Sequence, residues 1–284
     1  MDPISEFVMS WKIPVGQVGK SFFLVLTQNL SWLFNAISSG ITWSLQSLIS
    51  ILLFFPPVVI ILALGLLAYL LQRSWKLAIA VIFGLFFIVN QGLWKETIET
   101  LALVVGAAAV SMAIGVPVGI AAAHREWLYR VLQPILDLMQ TLPTFVYLIP
   151  ALVLFGLGVA PGLIATVIFA VPAPIRLTHL GLTSVPKQLL EAGEAFGATK
   201  QQLLWKVELP AALPTIMAGL TQCIMLSLSM VVIAALVGAN GLGKPVVRAL
   251  NTVNIPLGLE SGLAIVVLAI ILDRISRVGL RKKA

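Results

Sequence analysis

An all-α integral membrane protein is the fold class this sequence predicts: a polytopic helical bundle of about seven spans preceded by an N-terminal amphipathic helix. Three observations carry that expectation. Of its 284 residues, 60% are hydrophobic and only 10% are charged, whereas soluble domains carry about 25% charged residues. The apolar residues collect in runs near the roughly 20 residues that a bilayer core requires. The charges between those runs are mainly of one sign, 18 Lys and Arg against 11 Asp and Glu. In a lipid-embedded chain such an excess sets topology through cytoplasmic loops and does not point to a nucleic-acid partner.

Taken in order, residues 1–8 (Met1-Asp-Pro-Ile-Ser-Glu-Phe7 and Val8) read as a leader of translated cloning sites. Nothing there has the basic start and apolar core of a secretory signal. Residues 9–51 make an N-terminal segment whose stretch 21–50 holds no charge. Within it Gln28, Ser31, Asn35, Ser39, Thr42, Gln46 and Ser50 recur every three to four residues, with Phe22, Trp32, Phe34 and Trp43 off that stripe. This pattern predicts an interfacial helix on the outer leaflet, with an eighth span as the alternative. Residues 52–96 hold two peripheral spans, 52–71 and 76–93. The core domain, 97–280, holds spans at 98–123, 139–157, 162–180, 211–238 and 260–276. Prolines 56, 57, 117, 150, 172, 174 and 214 fall within these runs, where neighbouring helices can re-satisfy the freed backbone groups.

One long polar interruption, residues 183–210, stands out in the core. Placing it and the C-terminus in the cytoplasm gives that side Arg73, Lys76, Arg125, Arg130, Arg176, Lys187, Lys200, Lys206, Arg274, Arg277, Arg281, Lys282 and Lys283. The outer side keeps Lys12, Lys20, Lys95, Lys244 and Arg248. This asymmetry predicts N-terminus out, C-terminus in. Trp75, Trp94 and Trp127 fall at span ends, where indole rings favour the interface.

The span interiors limit the chemistry. No Asp, Glu, Lys, Arg or His occurs in 100–123, 139–157, 162–175, 212–237 or 261–272. A proton-driven carrier needs titratable stops at mid-membrane, so the energy for any transport is expected to come from outside the chain. Ser111, Ser227 and Ser229 have no nearby His or Asp to activate them as nucleophiles. His124 and His179, at predicted cytoplasmic helix ends, show no metal-ligand spacing and read as interfacial polar residues. The single cysteine, Cys223, reads as a small packed hydrophobe. No catalytic residue and no metal site is therefore expected. Gly238-Ala-Asn-Gly-Leu-Gly243-Lys244-Pro245 imitates a phosphate-binding loop, but Pro245 stands where Ser or Thr is needed and no strand precedes it.

Two patterns inside the spans have double readings. Ala107, Ser111, Gly115, Gly119 and Ala123 recur every four residues, a stripe that favours close helix packing, with lining of a pathway as the alternative. Gln140, Thr141, Gln222, Ser227 and Ser229 with Phe145 and Tyr147 could line a pathway for a small zwitterion or cation, the rings attracting quaternary ammonium through their quadrupoles. Ordinary interhelical hydrogen bonds are the alternative. Glu96, Glu99 and Glu260, at outer span ends, read first as a solvated face, with docking contacts as the alternative.

The interruption itself runs Glu191-Ala-Gly-Glu-Ala-Phe-Gly197, nine residues, Val207, one residue, Leu209-Pro210. It resembles the cytoplasmic docking loop of ATP-binding-cassette importer permeases, with Gly193 and Val207 where that family has Ala and Ile. Three further blocks, 137–150, 168–178 and 226–243, are similar to the branch of that family that carries glycine betaine, proline betaine, choline and carnitine. The resemblance implies a type I importer fold and a homodimer in the inner membrane of a bacterial cell. It implies two cytoplasmic ATPase subunits coupled through Glu191, Ala192, Gly193, Glu194, Phe196, Gly197, Leu203, Leu209 and Pro210. ATP and Mg would be bound by those ATPases and no cofactor by this chain, an extracytoplasmic binding protein would deliver the solute, and membrane lipid would surround the spans. A different small solute such as an amino acid, or a secondary carrier or channel, is the alternative.

Overall fold

A computed structural model describes residues 14–277; the expected leader 1–8, Lys12, Arg281, Lys282 and Lys283 lie outside the described residues. Among these, the chain is built from helices joined by short turns. Helix α1 (Val15–Phe54) departs from helical geometry at Leu30. It stops where two prolines follow: Phe55 is extended (φ −84°, ψ 143°), as a residue before proline must be. The expected span 52–71 therefore divides, its first residues finishing α1 and the rest forming α2 (Pro57–Gln72). Helix α3 (Trp75–Asn90) packs back on α2, close enough that a Cβ on Gly65 would stand 2.7 Å from Ile82. Each has 16 residues, about 24 Å against an apolar bilayer core of about 30 Å.

Three helices form the centre. They are α4 (Trp94–Ala123), α8 (Pro172–Thr183) and α11 (Leu209–Leu236). The small-residue stripe of α4 is buried against α8: a Cβ on Gly115 would meet Pro174 Cγ at 2.6 Å, and one on Gly119 the Ile175 carbonyl oxygen at 2.8 Å. From the other side, a Cβ on Gly219 of α11 would come within 3.3 Å of Pro174 Cα. The stripe is thus used for close packing, where dispersion contacts give what lipid cannot. Cys223 is fully buried in the same core, with Ile224, Val104 and Leu268.

Between α4 and α8 lie α5 (Glu126–Thr141), α6 (Thr144–Phe155) and α7 (Val159–Ala170). The expected span 139–157 is broken, because α5 and α6 meet at 96°. Leu142 is extended (φ −64°, ψ 136°) before Pro143, the same local rule that ends α1. Helices α7 and α8 together make one apolar stretch, 159–183. After α11 come α12 (Gly243–Thr252) and α13 (Ile255–Ser276).

Among the described residues, five helical stretches are long and apolar enough to cross a membrane, or six if the bent α5–α6 pair counts as one. Helix α1 is among the five. Past Leu30 it runs beside the bundle: Phe34 meets Phe155 edge to face at 5.3 Å, the Ser38 hydroxyl donates to the Phe155 carbonyl at 3.2 Å, and Leu45 is buried with Ala107 and Leu163. Most of its polar stripe, including Gln28, Ser31, Asn35 and Gln46, is exposed.

Candidate functional site

The polar interruption folds as a helical hairpin on one end of the central bundle. Its first arm is α9 (Lys187–Ala195). Phe196 caps it, and Gly197 follows with φ +75°, a left-handed conformation that strains any residue with a Cβ. The Gly197 N–H donates to the Glu194 carbonyl at 2.8 Å and the Ala198 N–H to the Gly193 carbonyl at 3.1 Å, a Schellman motif that satisfies the last carbonyls of the helix. The chain re-enters a helix at once through a capping box: the Gln202 N–H donates to Thr199 Oγ1, and the Thr199 N–H to Gln202 Oε1. Helix α10 (Lys200–Leu203) and a π turn (Leu204–Glu208) then lead into α11.

Gly193 closes the hairpin, since a Cβ there would stand 2.6 Å from Leu203 Cδ1 and 3.6 Å from Val207. Leu203 is buried between the arms. Glu191, Ala192 and Glu194 face solvent. At the tip Phe196 is 92% exposed, and Trp205 is 66% exposed. Large rings left open on a well-folded hairpin are the kind of apolar surface that marks an interaction site. At the base, Leu209 packs with Leu182, Ala212, Ile216, Ile120 and Ala123, and Pro210 sits in the first turn of α11, where a missing amide donor is tolerated. The coupling candidates therefore split into an exposed group and a supporting group in one hairpin.

Sequence reasoning missed a second anchor. His124, the C-cap of α4, places Nε2 2.9 Å from Glu208 Oε2. His179 also has a partner, stacking on Tyr129 at 3.6 Å, while Arg176 pairs with Asp137 at 2.6 Å; both contacts tie α5 to α8. No local pattern announces these pairs, because each joins residues far apart in the chain.

The pathway candidates do not share one surface. On α11, Gln222 and Ser229 are exposed together with Met225, at spacings that fall on one helix face. Ser227 points the other way, fully buried, its hydroxyl donating to the Cys223 carbonyl at 2.8 Å. Phe145 is exposed on α6, whereas Tyr147 is nearly buried and its hydroxyl donates to the Met139 carbonyl, bracing the α5–α6 bend. Gln140 and Thr141 end α5, with the Thr141 hydroxyl donating to the Leu138 carbonyl at 3.3 Å.

At the opposite end of α4 opens a cleft of about 710 Å³ lined by Glu96, Glu99, Asn240, Lys244 and Arg248 among others. Glu260 is not part of its lining. The loop that imitates a phosphate-binding motif forms one wall: the Leu242 N–H donates to the buried Thr100 Oγ1 at 2.8 Å, and Gly241 (φ +124°) lies against Thr100.

The described residues thus form a bundle of apolar helices with an exposed polar hairpin at one end. Residues 115–281 match the family described as "Binding-protein-dependent transport system inner membrane component", and this chain belongs to it. A family of proteins of unknown function also matches, over residues 53–136. Among similar proteins is the glycine betaine transport system permease protein OpuAB of Bacillus subtilis, 43% identical across 96% of this chain and 97% of that protein. The glycine betaine/carnitine transport permease protein GbuB of Listeria monocytogenes is 47% identical, covering 75% of each chain. The glycine betaine/proline betaine permease ProW of Escherichia coli is 40% identical over 89% of this chain and 73% of its own length. A solved inward-facing form of the MetNI methionine ABC transporter superposes with TM-score 0.58 and 26% identity, covering 67% of this chain and 95% of that one.

Proposed function

We propose that this chain is the permease subunit of an ATP-driven importer for glycine betaine, choline or a related quaternary amine. The observation that carries the reading is identity to a glycine betaine permease over nearly the whole of both chains. In this reading the subunit pairs with a second copy of itself, and two separate ATPases, holding the ATP and Mg, dock on the two hairpins. Phe196, with Glu191, Ala192, Gly193, Glu194 and Gly197, meets the ATPase; Leu203, Leu209 and Pro210 hold the hairpin to the core. The N-terminus lies outside and the C-terminus in the cytoplasm of a bacterial cell, so the mixed-charge cleft faces the binding protein that delivers the solute.

Transport then follows from differential binding. ATP closes the ATPases, and that movement favours one arrangement of the spans only because the hairpin contacts differ between the two states. The exposed face of α11 carrying Gln222 and Ser229, with Phe145 and Thr141 nearby in chain order on the α5–α6 corner, is the surface offered to the passing cation. Gln140, Ser227 and Tyr147 support that route from within the packing.

The test is uptake of labelled glycine betaine and choline into liposomes holding this chain, its ATPase and its binding protein. Uptake that requires both ATP and the binding protein is expected. Uptake by the chain alone would replace this reading with a carrier or channel, and ATP hydrolysis without movement of either amine would replace the cargo, an amino acid being the next to try.

A further inference from the structure

We infer that the His124–Glu208 ion pair is the link that passes movement of the cytoplasmic hairpin into α4, so that His124 is a positioning residue for coupling. The inference rests on the importer reading above. Four observations support it.

First, the geometry places a shared proton between the two side chains. His124 Nδ1 lies 2.9 Å from the Ile120 carbonyl, and beside an acceptor that nitrogen must carry the hydrogen. A neutral ring would then aim the Nε2 lone pair at the carboxylate 2.9 Å away. The contact is attractive once a proton lies between the two groups, which ties His124 to Glu208 directly. Second, Glu208 has little alternative. Its side chain is 12% exposed, and Oε2 is buried without an aligned hydrogen-bond donor. Removing His124 leaves that carboxylate nearly buried and unpaired, which is a costly state.

Third, Glu208 closes the π turn that joins the hairpin to α11. A π turn is a local change of register, often found at functional positions, and it is the place where hairpin movement could be absorbed. The ion pair spans that turn and ties it to the end of a different helix. Fourth, α4 can carry what it receives. It is 30 residues long, about 45 Å. Its close contacts to α8 at Gly115 and Gly119 leave little slack, and its other end supplies Lys95, Glu96 and Glu99 to the cleft. Force applied at the hairpin therefore has a direct route to the far side of the bundle.

The experiment uses the full complex of this chain with its ATPase and binding protein in liposomes. It compares wild type with His124→Ala, Glu208→Gln, the double variant and His124→Lys. Glycine betaine moved per ATP hydrolysed is expected to fall about fivefold or more in either single neutral variant. The double variant should fall no further than His124→Ala, and His124→Lys, which keeps the charge, should recover most of the ratio. A ratio within about twofold of wild type in His124→Ala overturns the inference. So does His124→Lys behaving like His124→Ala. Stimulation of ATP hydrolysis by the binding protein, read in the same liposomes, follows the same order and needs no named cargo. A wild-type complex that shows this stimulation without moving betaine thus rejects the cargo while the variants still decide the link.

Discussion

The two ends of α4 are built on opposite principles. At the hairpin end, Ile120 and Ala123 pack with Leu209, Leu182 and Ala212, one ion pair sits at the rim, and Phe196 is left bare at the tip. At the cleft end the walls carry Glu96, Glu99, Lys95, Lys244 and Arg248, and a buried hydrogen bond from Leu242 to Thr100 helps hold the loop to the helix. Apolar contact falls off within a few ångströms and suits a partner that stays. Charges of both signs steer an encounter from a distance and weaken with salt, which suits one that comes and goes. The difference teaches which end needs a durable joint.

The comparison can be broken first at the helix that joins the ends. Gly119→Leu should have the largest effect, because its side chain would meet Thr178 and the Ile175 carbonyl within 3 Å and backbone cannot move aside cheaply. No folded complex is expected, as judged by gel filtration in detergent. Next is Gly197→Asp, which combines a left-handed backbone with a carboxylate in the proposed docking surface. Normal membrane levels with uptake abolished are expected; normal uptake would count heavily against a docking role for the hairpin.

Phe196→Ala touches no core residue, since the ring is exposed, so thermal stability should be kept. If the ring anchors the ATPase, affinity should fall by about 2 kcal/mol, roughly thirtyfold, in pull-down titrations with purified ATPase. Thr100→Val tests the cleft end by orphaning the Leu242 N–H. It should cost about 1–2 kcal/mol of stability, seen as a lower melting temperature, with ATPase affinity unchanged. The smallest effect belongs to Glu99→Gln in the cleft. A few-fold change in the binding-protein concentration for half-maximal uptake, vanishing at high salt, is expected; a salt-independent effect would remove the steering argument.

Much of this was legible in the chain. Apolar runs located the spans, and four-residue spacing of small side chains located the face of α4 that packs on α8, because both depend on the neighbours of each residue along one helix. Pro143 and the Pro56–Pro57 pair carried their message locally too, but a window that counts apolar residues passes over the extended residue each proline demands. The hairpin segment was visible as the one long polar interruption in the core.

Other features lay beyond any pattern. Ser227 and Ser229 are alike in sequence and each hydroxyl bonds to its own helix, yet one is buried and the other exposed. That depends on how α11 is rotated against α8, a sum of many contacts. His124 looked like an interfacial residue until α4 and α11 brought it to Glu208. The sequence by itself determined the apolar runs of a multi-pass bundle, the extended residues before its prolines and the one long polar interruption, since transfer energies and backbone sterics act residue by residue. Only the tertiary structure decided which polar groups meet, because those pairings depend on the phase and crossing of helices far apart in the chain, and no local energy specifies them.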